Sequence, residues 1–531
     1  MKLQNCYRPI LVSILITACL FNSCSTSPSD EGRVFRFRLS SDPPSLDPLH
    51  STDTVSATIV FRIFEGLVKF DPVTLEVLPA IAERWEISPD GLTYTFHLKH
   101  GVTFHNGREV TAEDFRWSFE RCLTPRHMSE RSWLLNAIKG ADGMLRGEAD
   151  TLAGFDAPDP YTVVLTLERP FAPFIYNLCM EAGSAVARES VEGDEFTPIG
   201  TGPFRFLAWD HDIRVSIEAY EGYHGGLSGI DRVDFEIIPD VGVAFQKFVA
   251  GELDLVNEIP PGQLTLIRGK YPEALHVWPF LRNEYIGFNH TRPPFKDNLK
   301  LRQALCWAVD REGIVNELYE GAAVVANAIL PPGMPGRDDT IEGYGFDLEK
   351  AAQLLAEAGY PNGEGLPELT LWYNNNEMHQ QNVQYIQSTF RKIGVNVRLR
   401  SLDWPAYLKA CESQEPDLYR LGWVADIPDP DNFLYTLLST DQIGIAGNYS
   451  GYSNPEFDRL VKEARTSTDH DYRMELYRMA DRLATMDACW IMLMYAQDRI
   501  LFNPAYEGLV LPKQGNFMIP LENLHYRDDT P

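Results

Sequence analysis

The chain is predicted to be an α/β protein of several lobes with mixed sheets, on three observations. Between Glu284 and Met494, helical periodicity alternates with short β-rich runs, and strand, helix, strand in that order builds a parallel sheet. Between Ile81 and His105, two alternating strands flank Pro89-Asp90-Gly91, the turn chemistry of an antiparallel hairpin. At 531 residues, 44% of them hydrophobic, the chain can bury several cores, so two or three lobes are expected.

Taken in order, Val34 to Leu39 alternates as a strand that Ser45-Leu46-Asp47-Pro48 breaks, and helical spacing covers Thr54 to Phe64. After the hairpin, Thr111 followed by Glu113 and Asp114 has the cap and acidic first turn of a helix start. Tyr161 to Leu167 is β-rich, and the glycines of Gly200-Thr-Gly-Pro203 mark a boundary before a strand at Arg232 to Pro239. Glu284 to Asn289 reads as a strand and Leu299 to Val309 as a helix. The helices Leu348 to Ala358 and Gln380 to Ile393 then alternate with strands Leu369 to Tyr373 and Val395 to Leu399. The run from Tyr419 is the next strand of that series, Tyr472 to Met486 is helical, and Trp490 to Met494 is a strand.

Lys and Arg number 47 against 75 Asp and Glu, a net charge of −28 that argues against nucleic acid or an anionic membrane surface as partner. Lys2 and Arg8 precede an apolar run from Ile10 to Ala18, too short to span a membrane, which reads as an export signal. Ile-Thr-Ala-Cys19 and Phe-Asn-Ser-Cys24 each resemble the lipobox of bacterial lipoproteins. The former fits the usual motif better, whereas Cys24 leads into Ser-Thr-Ser-Pro-Ser-Asp-Glu-Gly, a flexible polar tether, and is favoured as the lipid anchor. The remaining cysteines, Cys122, Cys179, Cys306, Cys411 and Cys489, are scattered and odd in number, so buried free thiols are expected.

No nucleophile elbow, zinc-binding helix motif or phosphate loop occurs, so an enzyme would lack any local signature. His97, His100 and His105 have no carboxylate or cysteine at ligand spacing and read as surface histidines, so no metal is expected. The stretch Tyr419 to Asn432 is more informative. It ends an apolar strand at Asp426, and Pro428 and Pro430 cannot continue a ladder. Such a strand end offers bare backbone to an extended ligand and a carboxylate to its ammonium. Arg420, six residues before Asp426, lies roughly 20 Å away at most, a peptide's length. His379 follows the Leu369 to Tyr373 strand, where crevice loops sit in parallel sheets. Spacing alone leaves Arg420 as either a ligand cation or a solvated strand-end charge, and His379 as either a crevice residue or a helix start. Asp429 and Asp431 lack the glycine and distal glutamate of a calcium loop and are assigned to loop structure.

In this order, Ser45-Leu46-Asp47-Pro48, Phe64-Glu65-Gly66-Leu67, Leu78-Pro79-Ala80-Ile81-Ala82-Glu83-Arg84-Trp85 and the block Tyr94 to Gly107 resemble extracytoplasmic solute-binding proteins of the peptide, opine and nickel family of ABC importers. Gly200-Thr-Gly-Pro203, Gly251-Glu-Leu-Asp254, Pro293-Pro-Phe with Arg302-Gln-Ala-Leu, Leu354 to Tyr360 and Gly422-Trp-x-x-Asp426 extend the resemblance over nearly all of the chain. It implies a periplasmic-binding-protein-like fold, type II in its three-domain variant, with an interlobe cleft. On it, residues 1–24 are a lipoprotein signal peptide, 25–33 a tether, 34–68 with 200–282 and 497–531 lobe I, 69–199 an inserted small domain, and 283–496 lobe II.

Within the family the resemblance is closest to oligopeptide-binding proteins. It implies that Asp426 holds the peptide α-ammonium, that Gly422, Trp423 and Val424 pair with the peptide backbone, and that Ser51, Thr52 and Asp53 pair from the other side. Arg420, His379 and Arg337 are then the cations that meet peptide carboxylates. Asn374-Asn375-Asn376 replace the arginine of dipeptide binders, and the family's disulfide is missing because Val424 and Arg282 stand where its cysteines would be. The expected protein is a monomeric, lipid-anchored receptor outside the cytoplasm. It takes no cofactor, catalyses nothing and hands short peptides to a membrane permease. Alternatives are a binder of nickel chelate, haem, opine or sugar, or a peptidase without a recognisable motif.

Overall fold

The computed structural model describes residues 33–193, 195–444 and 447–527; the signal peptide, Cys19, Cys24 and residues 25–32 of the tether lie outside them. One sheet of eleven strands runs through the molecule. Its order is Val397–Leu402, Leu369–Asn374, Leu418–Val424, Leu275–Phe288, Trp490–Phe502, Leu255–Val256, Val34–Leu39, Arg232–Ile237, Arg214–Ala219 and Phe204–Asp210, with Ala323–Val325 added on Trp490–Phe502. Leu369–Asn374 pairs in parallel with both Val397–Leu402 and Leu418–Val424, and Leu275–Phe288 pairs antiparallel with Leu418–Val424. The sheet is therefore mixed, as the alternation of elements predicts.

Two strands are far longer than the apolar pattern suggested. Leu275–Phe288 has 14 residues and Trp490–Phe502 has 13, against predicted runs of Glu284 to Asn289 and Trp490 to Met494. Polar residues such as Arg282, Asn283, Gln497 and Asp498 interrupt the alternation, yet the two strands satisfy each other's backbone. Their register shifts between Pro279 and Asn283 and again between Glu284 and Tyr285. On one side of that break, Phe35, Phe37, Val233, Phe235 and Phe502 build one core. On the other, Ile286, Phe288, Leu371, Ile386 and Phe390 build a second, and Tyr285, Tyr419, Leu434, Tyr477 and Trp490 a third.

A separate four-stranded sheet holds Ala82–Ile87, Thr93–Leu98, Thr162–Thr166 and Phe155–Asp159. The hairpin turns at Gly91, whose φ of 68° suits glycine. The helix Ala112–Leu123 begins as expected, with the Asp114 carboxylate accepting the Thr111 N–H at 2.9 Å. Phe96, Phe104, Phe115, Phe119 and Phe174 fill this domain's core, and Ile427, from just beyond Asp426, is buried in it as well.

The surface reading of the histidines fails at His105. Its Nε2 donates to the Gly202 carbonyl at 3.0 Å and its Nδ1 accepts from the Gly200 N–H at 3.3 Å, and burial lowers its pKa to about 4. Asp431 is likewise not loop: it opens the helix Asp431–Leu438. The five cysteines among the described residues are free and buried. No helix among those residues is long and apolar enough to cross a membrane.

Candidate functional site: an interlobe cleft beside a free strand edge

The strand Leu418–Val424 puts Tyr419, Leu421 and Trp423 against one core, so its alternate residues Arg420, Gly422 and Val424 face the other way. One edge pairs with Leu275–Phe288 along the whole strand, from Leu418 opposite Phe288 to Val424 opposite Arg282. The other edge pairs with Leu369–Asn374 only at Leu418 and Tyr419. Because the Ala425 N–H donates to Leu281 O, alternation aims the backbone groups of Gly422 and Val424 outward from the uncovered edge. Val424 and Arg282, named above at the missing disulfide, are direct cross-strand partners.

A cleft of about 590 Å³ opens between the two halves of the large sheet. Arg420, Val424 and His379 line it on one side with Arg282 and Glu284, and Thr54, Val55, Gln514 and Phe517 line it on the other. At its base Glu284, only 2% exposed, takes Arg282 Nε on Oε1 at 2.8 Å and Arg420 Nη2 on Oε2. Burial alone would raise this carboxyl's pKa, but the two guanidinium groups outweigh it and hold the pKa below the ordinary value. Gly422 makes this possible, since a Cβ there would lie 2.7 Å from both the Asn283 carbonyl oxygen and Glu284 Cδ.

His379 lines the cleft in surroundings that disfavour its charged form. Burial first, and then the neighbouring Arg420, lower its pKa to about 4, and its Nδ1 meets Asn374 Oδ1 at 2.7 Å. Arg337 is not brought to the cleft. Its guanidinium is held by Leu330 O, Tyr495 Oη, Asn327 Oδ1 and Asp339, and stacks over the Tyr495 ring.

Asp426 belongs to a second polar cluster. Its N–H donates to Asn432 Oδ1 at 3.0 Å and its Oδ2 accepts from Asn432 Nδ2 at 3.2 Å. Asn432 Oδ1 also takes the Trp423 indole N–H at 2.8 Å, so Trp423 braces the loop with its side chain turned from the cleft. Burial raises the Asp426 pKa, with Asn432 and Arg131 opposing. Arg131 reaches Glu181 at 3.6 Å and donates from Nε to Ser51 O at 2.6 Å, which ties the Ser51 segment to the Asp426 end. Asp53 is occupied as the cap of helix Thr54–Ile63, accepting from the Val55 and Ser56 N–H groups, while Thr52 is exposed. Asp429 and Asp431 are engaged inward, by Arg473 at 2.8 Å and Arg465 at 3.0 Å.

Sequence reasoning missed Arg282, Glu284, Arg131 and Glu181. For the first two a signal existed: charges two residues apart at the head of an otherwise apolar strand share one face of it. Nothing local marks Arg131 or Glu181, which only the packing of the small domain brings to Asp426.

Two halves of one sheet, joined by a pair of long strands across a register break and flanking a polar cleft, are the architecture of a receptor that closes over a small ligand. The model for bacterial extracellular solute-binding proteins, family 5 Middle, matches residues 76–444. The chain belongs to that family, whose members are extracytoplasmic binding proteins. The dipeptide-binding protein of Escherichia coli is 33% identical over 82% of this chain and 84% of its own length. Heme-binding protein A of Haemophilus influenzae is 34% identical over 85% and 84%. Among solved structures, the unliganded open form of the periplasmic murein tripeptide binding protein MppA overlays with a TM-score of 0.81, at 25% identity over 93% of this chain and 98% of that one. The Helicobacter pylori protein DppA in complex with peptide STSA overlays at 0.75, with 29% identity over 93% and 98%.

Proposed function

We propose that the protein is a lipid-anchored receptor that captures short peptides outside the cytoplasm and passes them to an ABC importer. The observation that carries this reading is the uncovered Gly422–Val424 edge with a carboxylate, Asp426, at one end and a guanidinium cluster at the other. An extended peptide satisfies that edge by adding as a strand, with its ammonium at Asp426 and its carboxylate at the arginines. Ser51 and Thr52 serve the opposite side of the ligand, and Arg420 contributes charge from behind Glu284. Closure about the register break joins lobe I (34–68, 200–282, 497–531) to lobe II (283–496), with 69–199 as an inserted domain. This division is supported by the separate cores on either side. The names of the peptide-binding relatives support the ligand class.

The lipid anchor at Cys24 or Cys19 and a monomeric state complete the proposal, as does release of the ligand unconverted. Asp426→Ala is expected to weaken peptide binding by about 2–5 kcal/mol, because it strands an ammonium in a closed site. Unchanged affinity by calorimetry would sink this reading. The haem-binding relative motivates a second one: a purified protein with a Soret band and no retained peptide masses would favour it.

A further inference from the structure

Resting on the peptide reading, we propose that Arg282 is the residue that meets the ligand's free carboxylate, and that its position selects peptides of three or four residues. Arg420, the sequence candidate for this role, is only 4% exposed and sits behind Glu284. The Arg282 side chain is 35% exposed in the cleft. Glu284 Oε1 orients it through Nε and Nη2, and its Nη1 has no partner among the described residues.

Glu284 is shared between Arg282 and Arg420, and Asp498, a second carboxylate of the lining, acts on Arg282 electrostatically while its oxygens accept from Asn516 and the Arg499 N–H. Glu258 is paired with Arg38 at 2.8 Å, and Arg499 adds a further cation to the lining. Across the cleft, the buried Gln514 Oε1 of the lining also lacks a partner, and the amide N–H next to a terminal carboxylate supplies one.

The spacing sets the length. Glu284, which holds the guanidinium, stands opposite Gly422, four residues along the strand from Asp426. At about 3.3 Å per residue that is roughly 13 Å, the span between the charged ends of an extended tri- or tetrapeptide. Arg420 and Glu284 are positioning residues for Arg282.

Calorimetry on the full chain with alanine peptides of two to six residues, each as free acid and as C-terminal amide, tests this. The wild-type protein is expected to bind the tri- and tetrapeptide acids best, and to prefer acid over amide by about tenfold or more. Arg282→Gln is expected to bring that ratio close to one. A ratio that survives in Arg282→Gln, or that collapses only in Arg499→Gln, would overturn the assignment. So would a wild-type optimum at two or six residues, which is informative even if the variant does not fold. Binding of no peptide by the wild-type protein would remove the underlying reading, and an acid-to-amide ratio of one with good affinity would remove Arg282 alone.

Discussion

At the scale of single residues, the charged groups of this protein divide by what faces them. Asp426 keeps only a neutral partner, Asn432, beside the more distant Arg131, so it has capacity for a cation. Asp429, 1% exposed, is fully engaged by Arg473 and serves the fold. Buried histidines add a dependence on pH. His290 donates from Nε2 to Cys489 O at 2.9 Å, and burial, then Arg302, lowers its pKa to about 3. Its unfolded pKa is near 6.5, so its contribution is present above pH 6.5 and is lost as pH falls towards 3. His105 and His379, each lowered to about 4, act in the same sense. Asp431 and Asp481, raised by burial to about 6, act oppositely: their contribution is present below about 3.8 and is lost as pH rises through 6. The difference between variants is therefore the clean readout. His290→Gln should lose less melting temperature between pH 7 and pH 4.5 than the wild-type protein, and an equal loss by circular dichroism would contradict the neutral assignment.

At the scale of elements, the strand Leu418–Val424 is both a core member and the proposed ligand edge, and Gly422 reconciles the two. Without a Cβ it lets Glu284 lie flat across the strand and hold both arginines. Gly422→Ala should cost about 1–3 kcal/mol of stability by overpacking. It should also weaken peptide binding, because displacing Glu284 releases Arg282 and Arg420. A variant with wild-type melting temperature and wild-type affinity would show that the approach of Glu284 to the strand is unimportant. The neighbouring strand Leu369–Asn374 matters by what it leaves undone, since it departs after Tyr419 and uncovers the edge.

At the scale of the whole molecule, the proposed closure is assigned to the register break in Leu275–Phe288 against Trp490–Phe502. Arg282 and Glu284 lie at that break, so on this proposal a ligand held there acts on the pivot itself. Addition of a saturating peptide should reduce the radius of gyration measured by small-angle scattering. An unchanged radius with confirmed binding would rule out hinge closure.

The local elements were legible in the sequence wherever one period dominated, as in the Pro89-Asp90-Gly91 hairpin and the helix Leu348–Glu357. The 418–424 edge and Asp426 were also readable there, because an apolar run ending in an aspartate and two prolines is a local pattern. The two long central strands were not, because their polar residues are tolerated only by mutual pairing and by the cleft they floor. The fates of Arg337, His379 and Arg420 could not be read either: whether a basic side chain is free, neutral or already paired depends on neighbours far away in the chain. Glu284 lies 136 positions from the arginine it holds. From the sequence came the short single-period elements, the end of the 418–424 strand at Asp426 and the residue types available for a zwitterion. Only the tertiary structure decided which cation faces the cleft, because that choice follows from burial and from the sharing of one carboxylate.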